Sequence, residues 1–303
     1  MNIAITGATG FVGKYTVDYL NQKGFSVITL GRDLSKLNDS FDDTVKKEAT
    51  DYSFQSLCKA LKSVDSIVHL AGIRLQKDFD PLMIEPYIDA NIVSTQNLLK
   101  AAQYLKIGRI CQSSSIAVYS QTNKLPFTES ESPNPISIYG VSKLTCESLG
   151  NLFSAKTEVK VTNLRFSSLF GKGEKAGVVF TDYINMAQQK KTLEIWGEGE
   201  TSIDFLYIKD VVTAIERAIM PEAPFGTYNI GSGEYFSIKE IAETINEVFE
   251  NKGNITFLYN KKVSPYKIYM DISRAKAELG WKPEWNLKKA LRDIKLMNST
   301  YVS

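Results

Sequence analysis

The sequence predicts an α/β protein: a doubly wound parallel (Rossmann) sheet followed by a smaller C-terminal α/β region. Three observations point to it. The chain opens on a short apolar strand, Ile3-Ala4-Ile5, followed by glycines at spacing three, Gly7, Gly10 and Gly13, and then by a helical stretch from Tyr15 to Lys23. Strand-like and helix-like stretches alternate from residue 2 to residue 165, the rhythm of βαβ units. Small and hydroxyl residues gather where two of the strands end, at Ala71-Gly72 and at Ser113-Ser114-Ser115, and ligands collect at the carboxyl ends of parallel strands.

The opening unit is suited to a dinucleotide pyrophosphate. Glycines let the turn tighten and let phosphate oxygens approach the backbone, and the helix N-terminus adds N–H groups and partial positive charge. The pattern is G-x-x-G-x-x-G, a variant of the G-x-G-x-x-G fingerprint. Phe25 to Leu30 reads as the second strand, ending in Gly31-Arg32-Asp33. An acidic residue at this point serves the ribose hydroxyls of NAD. Here Gly31 leaves room and the Arg32 fork suits a 2′-phosphate, which favours NADP. The other reading has Arg32 solvated and Asp33 on the ribose, so the cofactor is NAD or NADP.

Val45 to Ala49 is a third strand, followed by Asp51-Tyr52, an acceptor for an adenine amino group. Ser53 caps a helix running to Leu61. Ser66 to Gly72 is a fourth strand with His69 inside its apolar run, read as a packed core histidine. Pro81 to Tyr104 is one long helical stretch, Arg109 to Ser113 a fifth strand, and Val159 to Leu164 a sixth. Beyond Arg165 the rhythm changes. Gly171 to Lys175 reads as a flexible polar join. Helices are expected over Val178–Gln189, Val211–Ala218, Ser237–Phe249 and Leu287–Met297, with strands at Leu193–Trp196, Asp204–Ile208 and Thr227–Ile230. The expected division is a Rossmann domain over 1–166, completed by part of 204–222, and a mainly substrate-binding region over 167–303.

Composition narrows the classes. The 303 residues are 43% hydrophobic and carry a net charge of +2, which leaves no electrostatic footprint for nucleic acid. No apolar run reaches the length of a membrane span and no signal-peptide pattern opens the chain, so a cytoplasmic protein is expected. Cys58, Cys111 and Cys146 lack metal-like spacing and read as reduced thiols. With His69 the single histidine, a multi-histidine metal site is excluded and any general base is another residue type.

Tyr139-Gly140-Val141-Ser142-Lys143 supplies one. On a helix, Tyr139 and Lys143 share a face. An ammonium beside a phenol of ordinary pKa about 10 stabilises the phenolate and fits it for acid–base work. The same ammonium can hold the nicotinamide ribose. Ser115, at the end of the fifth strand, can hydrogen-bond a substrate oxygen while Tyr139 moves its proton.

These residues, with Thr6 to Gly13, Asp51-Tyr52, His69 to Gly72, Asn91 to Leu99, Ser113 to Tyr119, Leu164 to Phe166, Asp204 to Val211, Tyr228 to Gly231 and Leu279 to Pro283, resemble the extended short-chain dehydrogenase/reductase family. The branch is that of sugar-nucleotide epimerases, dehydratases and reductases, and the likeness spans nearly the whole chain. It implies Tyr139 as general acid/base, Lys143 as its partner and Ser115 as the polarising hydroxyl. It implies that Gly7, Gly10, Phe11, Val12, Gly13, Asp51, Tyr52, Leu70, Ala71, Gly72, Asn91, Ser113 and Phe166 line the cofactor, and that two subunits pair through helices around 81–104 and 137–155. The expected substrate is a nucleotide sugar, with hydride passing at a sugar carbon, commonly C4.

Departures narrow the reaction. Ile116-Ala117 stands where the dehydratases have an Asp-Glu pair. Cys111 and His69 are misplaced for ring epimerisation by reductases. Ser168 replaces a usual asparagine, Ile203 replaces the arginine before Asp-Phe, and the arginine-x-glycine-aspartate element is absent near Tyr266 to Tyr269. Arg74, Lys172, Lys175 and Lys267 are the candidate replacements at the diphosphate. A 4-epimerase and an NADPH-dependent 4-keto sugar reductase both fit, as does a non-turning-over cofactor-binding scaffold.

Overall fold

The structure, a computed structural model, describes residues 1–74, 83–175 and 177–299. Its centre is a sheet of seven strands: β1 (Asn2–Thr6), β2 (Ser26–Gly31), β3 (Lys46–Ala49), β4 (Ser66–His69), β5 (Arg109–Ser115), β6 (Lys160–Phe166) and, after four short strands, β11 (Gly226–Ile230). The spatial order is β11-β6-β5-β4-β1-β2-β3, and every pairing is parallel. The order reverses between β1 and β4, so a crevice opens at their carboxyl ends.

Alternation along each strand splits the core between the two faces. Ile3, Ile5, Val68, Cys111 and Leu164 face one layer, with α1 (Phe11–Gln22) and, later in the chain, a helix over Ile208–Ile219. Ala4, Ile28, Leu30, Ile67, Ile110 and Val161 face the other. There they meet Leu57 of α3 (Phe54–Ala60) and Leu98, Leu99 and Ala102 of a helix over Ser94–Leu105. Fully buried Ile, Leu and Val side chains stabilise by roughly 1.5–3 kcal/mol each.

The expected strands and most helices stand where the sequence placed them. Between β2 and β3 lies α2 (Leu34–Ser40), absent from the sequence reading, with Asp33 as its cap. The single helix expected over 81–104 is broken; residues 81 and 82 lie outside the described residues. It comprises α4 (Glu85–Tyr87), a widened π-helical turn over Ile88–Val93, and α5 (Ser94–Leu105). The hydroxyls of Ser94 and Thr95 take up the carbonyls of Ala90 and Asn91, both at 2.6 Å. In this wide turn Asn91 is buried.

The helix carrying Tyr139 is α6 (Ile138–Lys156), capped by Ser137. It packs closely against the turn after β5 (Ile116–Val118) and against the sheet at β5 and β6. A Cβ at Gly140 would come within 2.2 Å of the Ala117 carbonyl, and one at Gly150 within 2.8 Å of Val161 Cγ1. Between these glycines Glu147 and Arg165, both buried, form a bidentate pair at 2.9 and 2.7 Å. Ser114 adds a hydroxyl to the carboxylate. Arg165 also donates to the Tyr119 phenol at 2.6 Å.

The rest of the chain is β7 (Ser168–Phe170), α7 (Val179–Gln188), β8 (Leu193–Trp196), β9 (Ser202–Ile203), β10 (Phe205–Tyr207) and α8 (Ile208–Ile219). After β11 come β12 (Phe236–Ser237), α9 (Ile238–Val248), β13 (Ile255–Leu258), β14 (Lys267–Ile268), α10 (Ser273–Glu278) and α11 (Leu287–Ser299). Three small sheets result: β10-β7, β12-β9-β14 and β13-β8. The strand expected at Thr227–Ile230 is the edge strand of the large sheet, paired to β6. The stretch read as a flexible join is packed at Gly171 and Glu174 and exposed at Gly173 and Lys175. Gly171 is buried, with no room for a Cβ beside Ile208 at 2.5 Å, and Glu174 is buried too. Local polarity in the sequence concealed that Glu174 has a partner, described below.

Removing one partner of a buried ion pair strands the other charge, at about 3–5 kcal/mol. Glu147→Ala should therefore lower the unfolding free energy in urea by about that amount. A loss below about 1 kcal/mol, the range of a solvent-exposed pair, would show that the bridge does not lock α6 to the sheet.

Candidate functional site

The glycine turn leaves β1 and enters α1 at the crevice. Gly7 has φ +66°, and a Cβ there would meet the Ala71 amide nitrogen at 2.7 Å. A Cβ on Gly13 would meet the Gly7 carbonyl at 2.2 Å. The turn thus presses against both the helix and the loop after β4. Gly10 caps α1 with no side chain, and the first turn of α1 holds no acid. Its N–H groups are presented for an anion.

A polar chain that the sequence did not reveal ties the two loops together. The Thr6 hydroxyl accepts the amides of Leu70 and Ala71, both at 3.2 Å. It lies 2.7 Å from His69 Nδ1, and His69 Nε2 lies 3.0 Å from the Thr95 hydroxyl. Thr95 donates to the Asn91 carbonyl. With its lone pairs engaged by two amides, Thr6 donates to Nδ1, so the proton of the neutral ring sits on Nε2. Burial, with Lys143 nearby, pushes the His69 pKa down to about 3. His69 is the core histidine expected, and it also shapes the site.

A cavity of about 280 Å³ runs from Gly7 and Thr9 past Gly31, Arg32 and Tyr52 to Gly72. Arg32 lies over the Tyr52 ring, 5.6 Å from its centroid. Asp51, by contrast, is exposed, and its carboxylate accepts the Ser53 amide at 2.9 Å. The glycine cradle, the open helix end and this cavity fit a nicotinamide adenine dinucleotide.

At the far end, the Asn91 side chain accepts the Ile73 amide at 2.7 Å and donates to Ser142 on α6 at 2.9 Å. Lys143, buried, donates to the Ser113 carbonyl at 2.9 Å and hydroxyl at 3.2 Å. Its Nζ is 6.0 Å from the centre of the Tyr139 ring. A Cβ on Gly72 would meet Asn91 Oδ1 at 2.8 Å and Lys143 Nζ at 3.8 Å. Ser115 ends β5 in register with Phe166, and its hydroxyl accepts the Ala117 amide at 3.1 Å. Gly140, next to Tyr139, rests on the carbonyl of Ala117, two residues past Ser115.

The substrate candidates are less uniform. Arg74 reaches Glu174 at 2.7 Å; its own side chain is 57% exposed while the carboxylate is 3% exposed. Lys172 donates to the Met297 carbonyl, and Lys267 lies over Tyr235 at 4.0 Å. Lys175 is exposed. Ser168 and Phe205 are paired across β7 and β10. Ile203 is paired with Phe236 and Ile268. Asp204, next to it, is fully buried; burial raises its pKa to about 6 against the opposing hydrogen bonds from Ser232.

The profile described as the NAD dependent epimerase/dehydratase family matches residues 3–231. The chain belongs to that family. A Bacillus subtilis (strain 168) protein named uncharacterized UDP-glucose epimerase YtcB is 30% identical, covering 99% of each chain. The crystal structure of UDP-N-acetylglucosamine 4-epimerase from Bacillus cereus is 34% identical, with TM-score 0.87, covering 98% of this chain and 96% of that one. MoeE5 in complex with UDP-glucuronic acid and NAD is 25% identical, with TM-score 0.83, covering 99% and 100%.

A histidine whose folded pKa lies below its unfolded value contributes stability above the unfolded pKa of about 6.5 and loses it as pH falls toward about 3. The ring resonances of His69 should therefore stay at their neutral positions from about pH 8 down to about pH 5. A midpoint near 6.5 in the folded protein would refute the buried, hydrogen-bonded ring.

Proposed function

We propose that the protein is a 4-epimerase of a uridine diphosphate sugar. The observation that carries this is the seating of α6 on β5, with Lys143 on Ser113, Gly140 against Ala117 and Ser115 beside them. Tyr139 Oη takes and returns the proton of the sugar's C4 hydroxyl. Ser115 Oγ hydrogen-bonds the same sugar oxygen as its charge changes. Lys143 stabilises the phenolate and holds the nicotinamide ribose. When bound, the dinucleotide supplies reversible hydride exchange with the sugar carbon. The likeness to a protein named as a UDP-glucose epimerase and to the structure of a UDP-N-acetylglucosamine 4-epimerase supports the reading.

The site residues follow. Gly7, Gly10, Phe11, Val12 and Gly13 hold the pyrophosphate; Arg32, Asp51 and Tyr52 the adenosine; Leu70, Ala71, Gly72, Asn91, Ser113 and Phe166 the remainder of the cofactor. Arg74 exchanges Glu174 for the substrate's anionic groups, and Ser168 lies at the sugar nucleotide. Residues 1–166, with α8 and β11, form the dinucleotide-binding domain, and 167–303 mainly the substrate region. A homodimer in the cytoplasm is the expected form. Val93, just before α5, Tyr104 on α5, and Val141 and Leu152 on α6 are exposed, which leaves apolar side chains on these helices for a second copy.

A reductase of 4-keto sugar nucleotides is the second reading, favoured by Arg32 at the cavity wall. A panel of UDP-, dTDP- and GDP-sugars separates the two. Interconversion of epimers without net cofactor consumption is expected; net NADPH oxidation by a 4-keto sugar would replace the epimerase with the reductase. Tyr139→Phe should lower turnover by about 10²–10⁴-fold while dinucleotide binding survives. Full activity in that variant would sink the proton-transfer role.

A further inference from the structure

We propose that one buried water, held by Gln112, sits on the core side of Lys143 and makes Gln112 a positioning residue for the ammonium. The inference deepens the reading of Tyr139 and Lys143 given above and rests on it. A small cavity of about 10 Å³ is lined by His69, Thr95, Gln112, Ser113, Lys143 and Cys146, among others. It is polar and has about the room that one water needs. Gln112 is buried, and its amide nitrogen donates to the Cys146 carbonyl at 2.9 Å and to Asn163 Oδ1 at 2.6 Å. A carbonyl only accepts, so the Cys146 contact fixes which way the amide is turned. Oε1, which is buried and has no partner among the described residues, is left as the polar atom that Gln112 gives the cavity. A buried acceptor without a partner is costly, and a bridging water removes that cost.

Lys143 gives the water its role. The ammonium is buried, and no carboxylate pairs with it among the described residues. Glu147, the only acid on α6, is engaged by Arg165. The other titratable groups around the cavity are neutral. Burial pushes the His69 pKa down to about 3 and pushes the Cys146 thiol up. Lys143 donates to the Ser113 carbonyl and hydroxyl. Because Ser113 Oγ accepts from Lys143, its own proton is available to the water, which donates in turn to Gln112 Oε1 and to the Thr95 oxygen. The chain from Lys143 through Ser113 and the water to Gln112 turns the negative ends of its dipoles toward the ammonium, and aligned bonds strengthen one another. Gln112 ends the chain with a neutral carbonyl. A carboxylate there would pair with the ammonium and compete with the Tyr139 phenolate for it. The third N–H of Lys143 stays available to the cleft.

A high-resolution crystal structure of the full chain tests the site itself. Density for one water within hydrogen-bond distance of Gln112 Oε1 and Ser113 Oγ is expected, and a dry cavity would overturn the proposal. The positioning role is read from tyrosinate ultraviolet absorbance against pH, as the difference between each protein and the same protein carrying Tyr139→Phe. Gln112→Met removes the acceptor, and the added methyl of Cys146→Val occupies the cavity. In both, a less firmly held ammonium stabilises the phenolate less, so the Tyr139 signal should appear about one pH unit higher than in the parent. Cys146→Ser, which leaves room for the water, should titrate as the parent does. With UDP-glucose or UDP-N-acetylglucosamine, kcat at neutral pH should fall about tenfold in the first two variants, the factor of one charge-assisted hydrogen bond, with KM little changed. Lower stability in urea with an unchanged tyrosinate curve would show that Gln112 only packs the core, and would overturn the positioning role. Where Gln112→Met does not fold, Cys146→Val decides. Failure of every UDP-sugar to turn over, with the water seen and the tyrosinate shift present, would overturn the proposed reaction and leave this site standing.

Discussion

The structure depends on how closely α6 can approach the sheet. A side chain at Gly140 would strike the Ala117 carbonyl, and one at Gly150 would strike Val161 and Gln112. The missing Cβ atoms let the helix settle onto β5 and β6, and the buried Glu147–Arg165 pair fixes it there. Ser114, on β5, bonds the same carboxylate. Its neighbours Ser113 and Ser115 are the residues that meet Lys143 and end the strand beside the Tyr139 turn. One packing contact therefore sets the relation between Tyr139, Lys143 and Ser115, the groups proposed to move the proton and polarise the sugar. Buried charges of this kind are costly to desolvate, so the pair is better understood as fixing register than as adding stability.

The same logic links the two ends of the cleft. Thr6 at the end of β1, His69 at the end of β4, Thr95 on α5 and Asn91 in the wide turn form one hydrogen-bonded chain. Asn91 then reaches both the Ile73 loop and Ser142 on α6. The loops after β1 and β4 and the helix that carries Tyr139 are held by a continuous set of satisfied polar groups. Such networks rigidify a core when every member has a partner. The π-helical turn is what presents Asn91 to them, and wide turns of this type often occur at functional sites.

The fold was legible because its signals are local. Apolar runs at strand length, the glycine triplet and the alternation of elements are all read within a short window. That Tyr139 and Lys143 share one helix was legible from their spacing, and that Ser115 ends a strand from its place in the sequence. What stayed hidden depends on partners distant in sequence. Thr6 looks like any strand threonine until His69 is placed beside it. Glu174 looks like part of a polar linker until Arg74, a hundred residues away, closes on it. The strand at Gly226–Ile230 looks like part of the second half until it pairs with β6. Asp33 is similar: its sequence position suggests a ribose acceptor, and only its bonds to Ser35 and Lys36 give it a capping role.

Isotope tracing tests the central claim most directly: that the α6–β5 cleft reverses the configuration of a sugar carbon and returns the hydrogen it removes. UDP-N-acetylglucosamine or UDP-glucose deuterated at C4 is incubated with the enzyme in ordinary water, and both epimers are analysed by mass spectrometry. The account predicts full retention of deuterium at C4 in substrate and product, with no dependence on added reductant. Wash-out of the label into water, or product that forms only as reduced cofactor is consumed, would contradict it.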